Sequence, residues 1–200
     1  DNFEWHMEYR MSTLELKELS HPSGEVIKIA AGKTLDLKSQ GTTTLPTGSV
    51  IQVKQGVLTS TMSTTSQSLV DSGLTVTITP SSASSKILIS SILNVFWQNA
   101  QAKVGISVTR DDTVIFVGDG VGARQRVSAL VYFALDSNAP LAVPINYLDS
   151  PNTTSAVTYK IKLMRMDPQG TVGVNRDFSD SNTSIQAYTA SNIIVQEIQG

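Results

Sequence analysis

Two hundred residues suffice for one β-rich domain with an extension, and a compact region of roughly 150 residues buries about two thirds of the surface its unfolded chain exposes. Charged residues make up 16% of the chain and the formal net charge is -2, so no strong field gathers nucleic acid or an anionic membrane surface, and neither is expected as a partner. The absence of cysteine excludes disulfides, thiolate metal sites and a cysteine nucleophile, leaving stability to packing or assembly.

Residues 1–10, DNFEWHMEYR, are dense in aromatic and acidic side chains, and Met11-Ser12-Thr13 reads as an ordinary translation start. The first ten residues are therefore either a non-native leader or an arm whose Phe3, Trp5 and Tyr9 insert into a partner. Residues 11–48 hold short alternating fragments built on Leu14, Leu16 and Leu19, then Val26, Ile27 and Ile29, then Leu35 and Leu37, broken by Pro22, Gly24, Gly32 and Gly41. Each apolar side chain is worth roughly 1.5–3 kcal/mol when buried, against roughly 1–2 kcal/mol of backbone entropy for every residue ordered. Such a segment builds no core of its own, and these eight residues are expected to anchor the chain to sister copies or to a larger assembly.

Leu45-Pro46-Thr47-Gly48 reads as a turn, after which residues 49–200 form the expected head domain. Strand-like alternation occurs at Val50 to Leu58, Leu74 to Thr79, Lys86 to Trp97, Lys103 to Arg110, Thr113 to Val117 and Arg126 to Leu135. It continues at Leu141 to Leu148, Val157 to Met166, Thr171 to Asn175 and Asn192 to Ile198. About ten strands without a helix predict an all-β fold, an antiparallel β-sandwich or jelly roll. Thr59 to Ser68 and Pro80 to Ser85, rich in Ser and Thr, read as loops. The runs at 141–148 and 157–166 flank a turn made by Asp149, Ser150, Pro151 and Asn152, which predicts a hairpin. Pro144 places the first of them at a sheet edge or at a bulge. No apolar run reaches the roughly 18 residues of a membrane span and no signal-peptide pattern is seen, so a soluble chain without membrane insertion is expected.

Two strands are apolar on both faces. Leu88, Ile92 and Phe96 oppose Ile87, Ile89, Leu93, Val95 and Trp97, while Leu130 and Tyr132 oppose Val127, Ala129, Val131 and Phe133. An antiparallel sandwich normally wets its outer faces, so a second copy of the chain is expected to cover Leu88, Ile92, Phe96, Leu130 and Tyr132; an internal loop, or the N-terminal segment folded back, is the alternative cover.

Chemistry finds little purchase. Both histidines, His6 and His21, lie outside the expected sandwich, which removes a catalytic triad or His-rich zinc site from it. The Gly118-Asp119-Gly120-Val121-Gly122-Ala123 string opens no helix and reads as a loop. Asp111, Asp112 and Asp149 sit in turn compositions, and Asp177, Asp180 and Asn182 match no defensible calcium loop. No enzyme, metal or cofactor is expected. Loops around 98–103, 118–125 and 175–191 hold polar side chains suited to sugar hydroxyls. Asn99, Gln101, Asp119, Arg124, Arg176, Asp177, Asp180 and Tyr188 are the candidate recognition residues, with Tyr188 or Trp97 available to stack on a sugar ring.

Six segments carry a resemblance: MSTLELKELSHPSGEVIKIAAGKTLDL, LPTGSVIQVKQG, LVDSGLTVTITPSSASSKILI, YLDSPNTTSAVTYKIKL, VNRD and ASNIIVQEI. Together they resemble modules in structural proteins of tailed bacteriophages, notably marine and cyanobacterial ones. The resemblance implies a homotrimeric virion appendage, such as a short tail fibre, head fibre or knob, on the surface of head or tail. Its N-terminal segment would dock to other virion proteins and its β-rich head would meet a host glycan or protein. The alternatives are a carbohydrate-binding module or depolymerase tip acting on host polysaccharide, or a capsid decoration protein.

Overall fold

The computed structural model describes residues 31–33, 45–98, 102–133 and 140–200. The chain divides into two units, 1–44 and 45–200, and every strand among the described residues belongs to the second. The eight anchor residues expected between Leu14 and Leu37 lie outside the described residues.

Among the described residues there are eleven strands and no helix. They are β1 (Val50–Leu58), β2 (Met62–Thr64), β3 (Val70–Ile78), β4 (Lys86–Gln98), β5 (Ala102–Arg110), β6 (Thr113–Phe116), β7 (Ala129–Phe133), β8 (Leu141–Asp149), β9 (Val157–Arg165), β10 (Thr171–Val174) and β11 (Ser191–Ile198). Their pairings are nested: β1 pairs with β11, β3 with β9, β4 with β8, and β5 with both β6 and β7, all antiparallel. The chain is thus one long double strand that doubles back at Asp111 and Asp112. Both carry positive φ (46° and 66°), the backbone of a two-residue type I′ hairpin turn. Added pairings of β11 with β4 and of β9 with β5 roll that double strand into two sheets. The first has the order β1-β11-β4 with β8 on the far edge of β4, and is extended by β10 and β2; the second runs β3-β9-β5 with β6 and β7 beyond β5. This connectivity is a jelly roll.

Two expectations are corrected. The stretch 59–68, read as a loop, contains β2, which pairs with β10. The runs at 141–149 and 157–165 are not a hairpin: β8 belongs to the first sheet and β9 to the second, so residues 150–156 cross from one sheet to the other. Pro144 does sit on an edge strand, because among the described residues β8 pairs with β4 alone.

Alternation puts Ile87, Ile89, Leu93 and Val95 of β4 and Ile193 and Val195 of β11 against Val104, Ile106 and Val108 of β5 and Tyr159, Ile161 and Leu163 of β9, all buried in one core. Polar groups on the same inward phase sit where the core meets the ends of the sandwich. Asp149, 4% exposed, takes two bonds from the Arg110 guanidinium at 2.7 and 2.9 Å and a third from the Tyr159 hydroxyl at 2.7 Å. Burial, reinforced by the bond to Asp149, pushes the Tyr159 phenol far above its ordinary range, so it stays a donor. Arg110 and Tyr159 come from the second sheet and Asp149 from the first, so the cluster ties the two layers together.

Glu197, also fully buried, accepts hydrogen bonds from Gln52, from the Ser81 amide at 2.7 Å and from the Ser81 hydroxyl at 2.8 Å. Burial alone would raise its carboxyl, but these donors outweigh burial and hold it below its ordinary 4.5. A group lowered on folding contributes stability above its unfolded pKa and loses it as pH falls through the folded value. Urea unfolding should therefore show the wild type weakening below about pH 4.5 by more than Glu197→Gln weakens over the same range. Parallel pH profiles for the two proteins would remove Glu197 from the acid response.

The two outer faces differ. On the second sheet, Lys160 lies 3.1 Å from Asp112 and 3.7 Å from Asp71, and Lys162 lies 2.7 Å from Asp112, giving a wetted lattice of charge. Beside it, the connection between β6 and β7 folds over β5. Gly105 has no side chain in its way, and a Cβ there would fall 2.9 Å from Val127 and 3.1 Å from Met164. The apolar outward phase of this sheet is thus partly covered by the chain's own loop, which accounts for the burial of Met164 at 4% exposure. On the first sheet the register aligns Val53, Gln196, Leu88 and Leu148 in one row, Gln55, Ile194, Ser90 and Asn146 in the next, and Val57, Asn192, Ile92 and Pro144 in a third. These rows contain no charged residue, and Val53, Val57, Ile92 and Leu148 are each at least 43% exposed.

Candidate functional site

One end of the sandwich carries a long polar connection, residues 175–190, between β10 and β11. Its root is Asn175, fully buried, whose φ of 65° turns the chain out of β10. The Asn175 side-chain amide donates to Leu58 O at 2.8 Å and to Ser60 O at 3.0 Å, while its oxygen accepts from the Ser191 hydroxyl at 2.6 Å. A left-handed residue with both donors and its acceptor satisfied suits asparagine in particular, since glycine supplies the backbone but none of the bonds.

The next residue, Arg176, lays its guanidinium over the Phe96 ring, 4.4 Å from the centroid, and pairs with Asp180 at 2.9 Å. Phe96 lies against the bare backbone of Gly173, where a Cβ would fall 2.4 Å from the ring. This corrects the expectation that a second copy covers Phe96: at 1% exposure its outward phase is already covered within the chain. Leu88 and Ile92 remain on the three uncharged rows of the first sheet's outer face, which Lys86 borders at one end, while Leu130 and Tyr132, 54% and 56% exposed, belong to the second sheet. The five expected interface residues therefore do not form one patch.

Asp180 also accepts from the Tyr188 hydroxyl at 2.7 Å, and that bond, followed by the charge of Asp180, raises the phenol above its ordinary value. Gln186 braces the loop internally, accepting from the Ser181 amide at 2.6 Å and the Ser181 hydroxyl at 3.0 Å and donating to Ser179. These braces enclose an open cleft of about 220 Å³ lined by Arg176, Asp177, Asp180, Asn182, Gln186 and Tyr188, among others. Tyr188 and Ile185 are 70% and 89% exposed.

Four of the eight candidate recognition residues, Arg176, Asp177, Asp180 and Tyr188, thus meet in one cleft. Asp119 and Arg124 sit on the connection between β6 and β7 and do not line it. Asn99 and Gln101 lie outside the described residues. Trp97 is a core residue at 4% exposure and offers no stacking face. Sequence reasoning misses Asn175, Gln186 and Asn182 as parts of the site. Asn175 carries one sequence signal, an asparagine directly after an alternating strand, the composition of a left-handed turn.

Asp149, a turn carboxylate by composition, is buried and consumed by Arg110 and Tyr159. Asp180 is consumed by Arg176 and Tyr188. Among the described residues no group of three or more His, Asp or Glu side chains is arranged to hold a metal ion.

No protein-family model and no curated protein matches the chain. Among solved structures it is similar to the tripod from the baseplate of bacteriophage Tuc2009, with 16% identity and a TM-score of 0.35 over 91% of this chain and 84% of that one. It is also similar to a chain of infectious bursal disease virus Gx strain, with 12% identity and a TM-score of 0.37 over 84% of this chain and 46% of that one. A third is the subviral particle of the same virus, with 15% identity and a TM-score of 0.30 over 84% of this chain and 37% of that one. The chain spans less than half the length of those two bursal disease virus chains.

Proposed function

We propose that this chain is a non-enzymatic structural protein on the surface of a phage particle. It self-associates, as a trimer, through the outer face of the first sheet and presents the 175–190 end of its jelly roll to the host. The observation that carries the reading is the contrast between the two outer faces. The second sheet is dressed with Lys160, Lys162, Asp71 and Asp112, as a wetted surface requires. The first sheet shows three rows of aliphatic, amide and hydroxyl side chains without a charge. Depletion of charge, more than bulk hydrophobicity, marks the centre of a protein interface. The sequence segments that resemble phage structural modules support the virion setting.

Light scattering on the purified chain tests the assembly, with a mass of three copies expected against 21.5 kDa for one. Ile92→Arg places an unpaired charge in the middle of the face and should reduce that mass to one copy while leaving the melting temperature of the head nearly unchanged, since Ile92 is 43% exposed. A wild-type monomer, or an unaltered mass for Ile92→Arg, overturns the assembly. Immunogold labelling of intact particles tests the location and separates head, tail and neither.

A further inference from the structure

The cleft of the 175–190 connection has a charge pattern that selects its ligand. Among the residues lining it the one cation, Arg176, is spent twice, on the Phe96 ring and on Asp180. Asp180 is spent on Arg176 and Tyr188. Asp177 has no cationic partner among the described residues, and one of its oxygens takes only the Ser179 amide at 3.2 Å. The Asn182 side chain makes no hydrogen bond among the described residues, so its amide offers donors and an acceptor to the cleft. Tyr188 supplies a 70% exposed aromatic side chain whose hydroxyl is tied down by Asp180, which limits the ordering entropy lost when something packs on the ring.

We infer that this cleft binds a neutral sugar ring through Tyr188, Asp177 and Asn182. The inference rests on the attachment reading above and deepens it by naming the ligand class. A carboxylate accepts from two adjacent hydroxyls at once, an amide donates and accepts beside it, and an aromatic side chain packs on the C–H face of a pyranose. An anionic sugar meets the uncompensated Asp177 instead, with no free guanidinium in the cleft to offset it. A volume of about 220 Å³ falls below the roughly 300–1,000 Å³ of sites for drug-sized ligands, which suits one ring better than a buried chain. The cross-bracing by Gln186, Ser181 and Arg176 means the site is shaped before the ligand arrives.

The test is titration of the full chain with methyl glycosides of glucose, galactose, mannose and N-acetylglucosamine, with methyl glucuronide as the anionic counterpart, followed by amide chemical shifts. At least one neutral glycoside should bind with a Kd in the millimolar range, about -4 kcal/mol by the standard conversion, and shift signals of residues 176–188. The glucuronide should bind at least about 10-fold more weakly, and Asp177→Asn should narrow that gap. Tyr188→Ala should weaken the neutral glycoside about 10-fold or more, and Tyr188→Phe, which keeps the ring, should hold it within a few-fold. Shifts that map elsewhere, a preference for the glucuronide, no shift with any neutral glycoside, or binding indifferent to Tyr188→Ala overturns the inference. Labelling of whole particles separates the two readings. Protein on particles without glycoside binding defeats the sugar site alone, and glycoside binding by a protein absent from particles defeats the virion reading alone.

Discussion

Asp149→Ala is expected to cost about 3–5 kcal/mol, the range for removing one partner of a buried ion pair. For a head of this size that lowers Tm by roughly 6–20 °C, at about 2–4 °C per kcal/mol. The loss is large because two groups are stranded together. The Tyr159 hydroxyl, fully buried, loses its acceptor, and the Arg110 guanidinium, 28% exposed, loses both of its bonds to the carboxylate and keeps only Ser150 O at 3.3 Å. Tyr159→Phe removes a donor and leaves the Arg110–Asp149 pair intact, so it should cost only about 1–2 kcal/mol. Arg110→Met leaves Asp149 with Tyr159 alone and should fall between the two. Urea unfolding of the three variants checks the order. Equal losses for Tyr159→Phe and Asp149→Ala, or a loss under about 1 kcal/mol for the latter, would show that the cluster does not tie the sheets.

Asn175→Asp is the second large effect, at about 2–4 kcal/mol. The substituted oxygen has to face Leu58 O and Ser60 O, two carbonyls that the native amide satisfies, at the site of a fully buried residue. Asn175→Gly keeps a left-handed backbone available and removes the side-chain bonds, so it isolates their contribution and should fall somewhat below the aspartate variant. Because Arg176 follows directly, both variants should also scatter the amide signals of 176–188, whereas Asp149→Ala, in a different cluster, should leave them in place. Glycoside binding should weaken in the Asn175 variants even at temperatures where the sheets persist. An intact pattern at 176–188 in Asn175→Asp would show that the loop is held from elsewhere.

Several strands are legible in the sequence because half-buried strands alternate, as 157–166 and 192–198 do, while 86–97 is apolar on both faces and Val53 and Val57 of the first strand face outward. β2 is not, since three residues, Met62, Ser63 and Thr64, display no period and exist as a strand only through pairing with β10. The false hairpin at 149–152 has a similar cause: local sequence shows that two strands are joined by a turn but not which sheet each one enters. The phase of the alternation also carries information about charge. Asp149 follows Val143, Ile145 and Tyr147 on the inward face, Glu197 follows Ile193 and Val195, and Arg110 follows Ile106 and Val108. A charge on an inward phase demands a buried partner, so these three are visible as a class, although their pairing is not. The recognition loop is legible through its composition. Its geometry is not, because bonds such as Tyr188 to Asp180 and Gln186 to Ser181 follow no period.

The nested pairing also sets when the molecule can form. β11, residues 191–198, is the middle strand between β1 and β4, and its partners in β1 lie some 140 residues earlier in the chain. A ribosome releases β1 and β4 long before it makes the piece that joins them, so the first sheet stays split until the last strand arrives. High-separation pairing of this kind places folding in the millisecond-to-second regime. During that interval the edges of β1 and β4 are open, and neighbouring nascent copies compete with β11 for them.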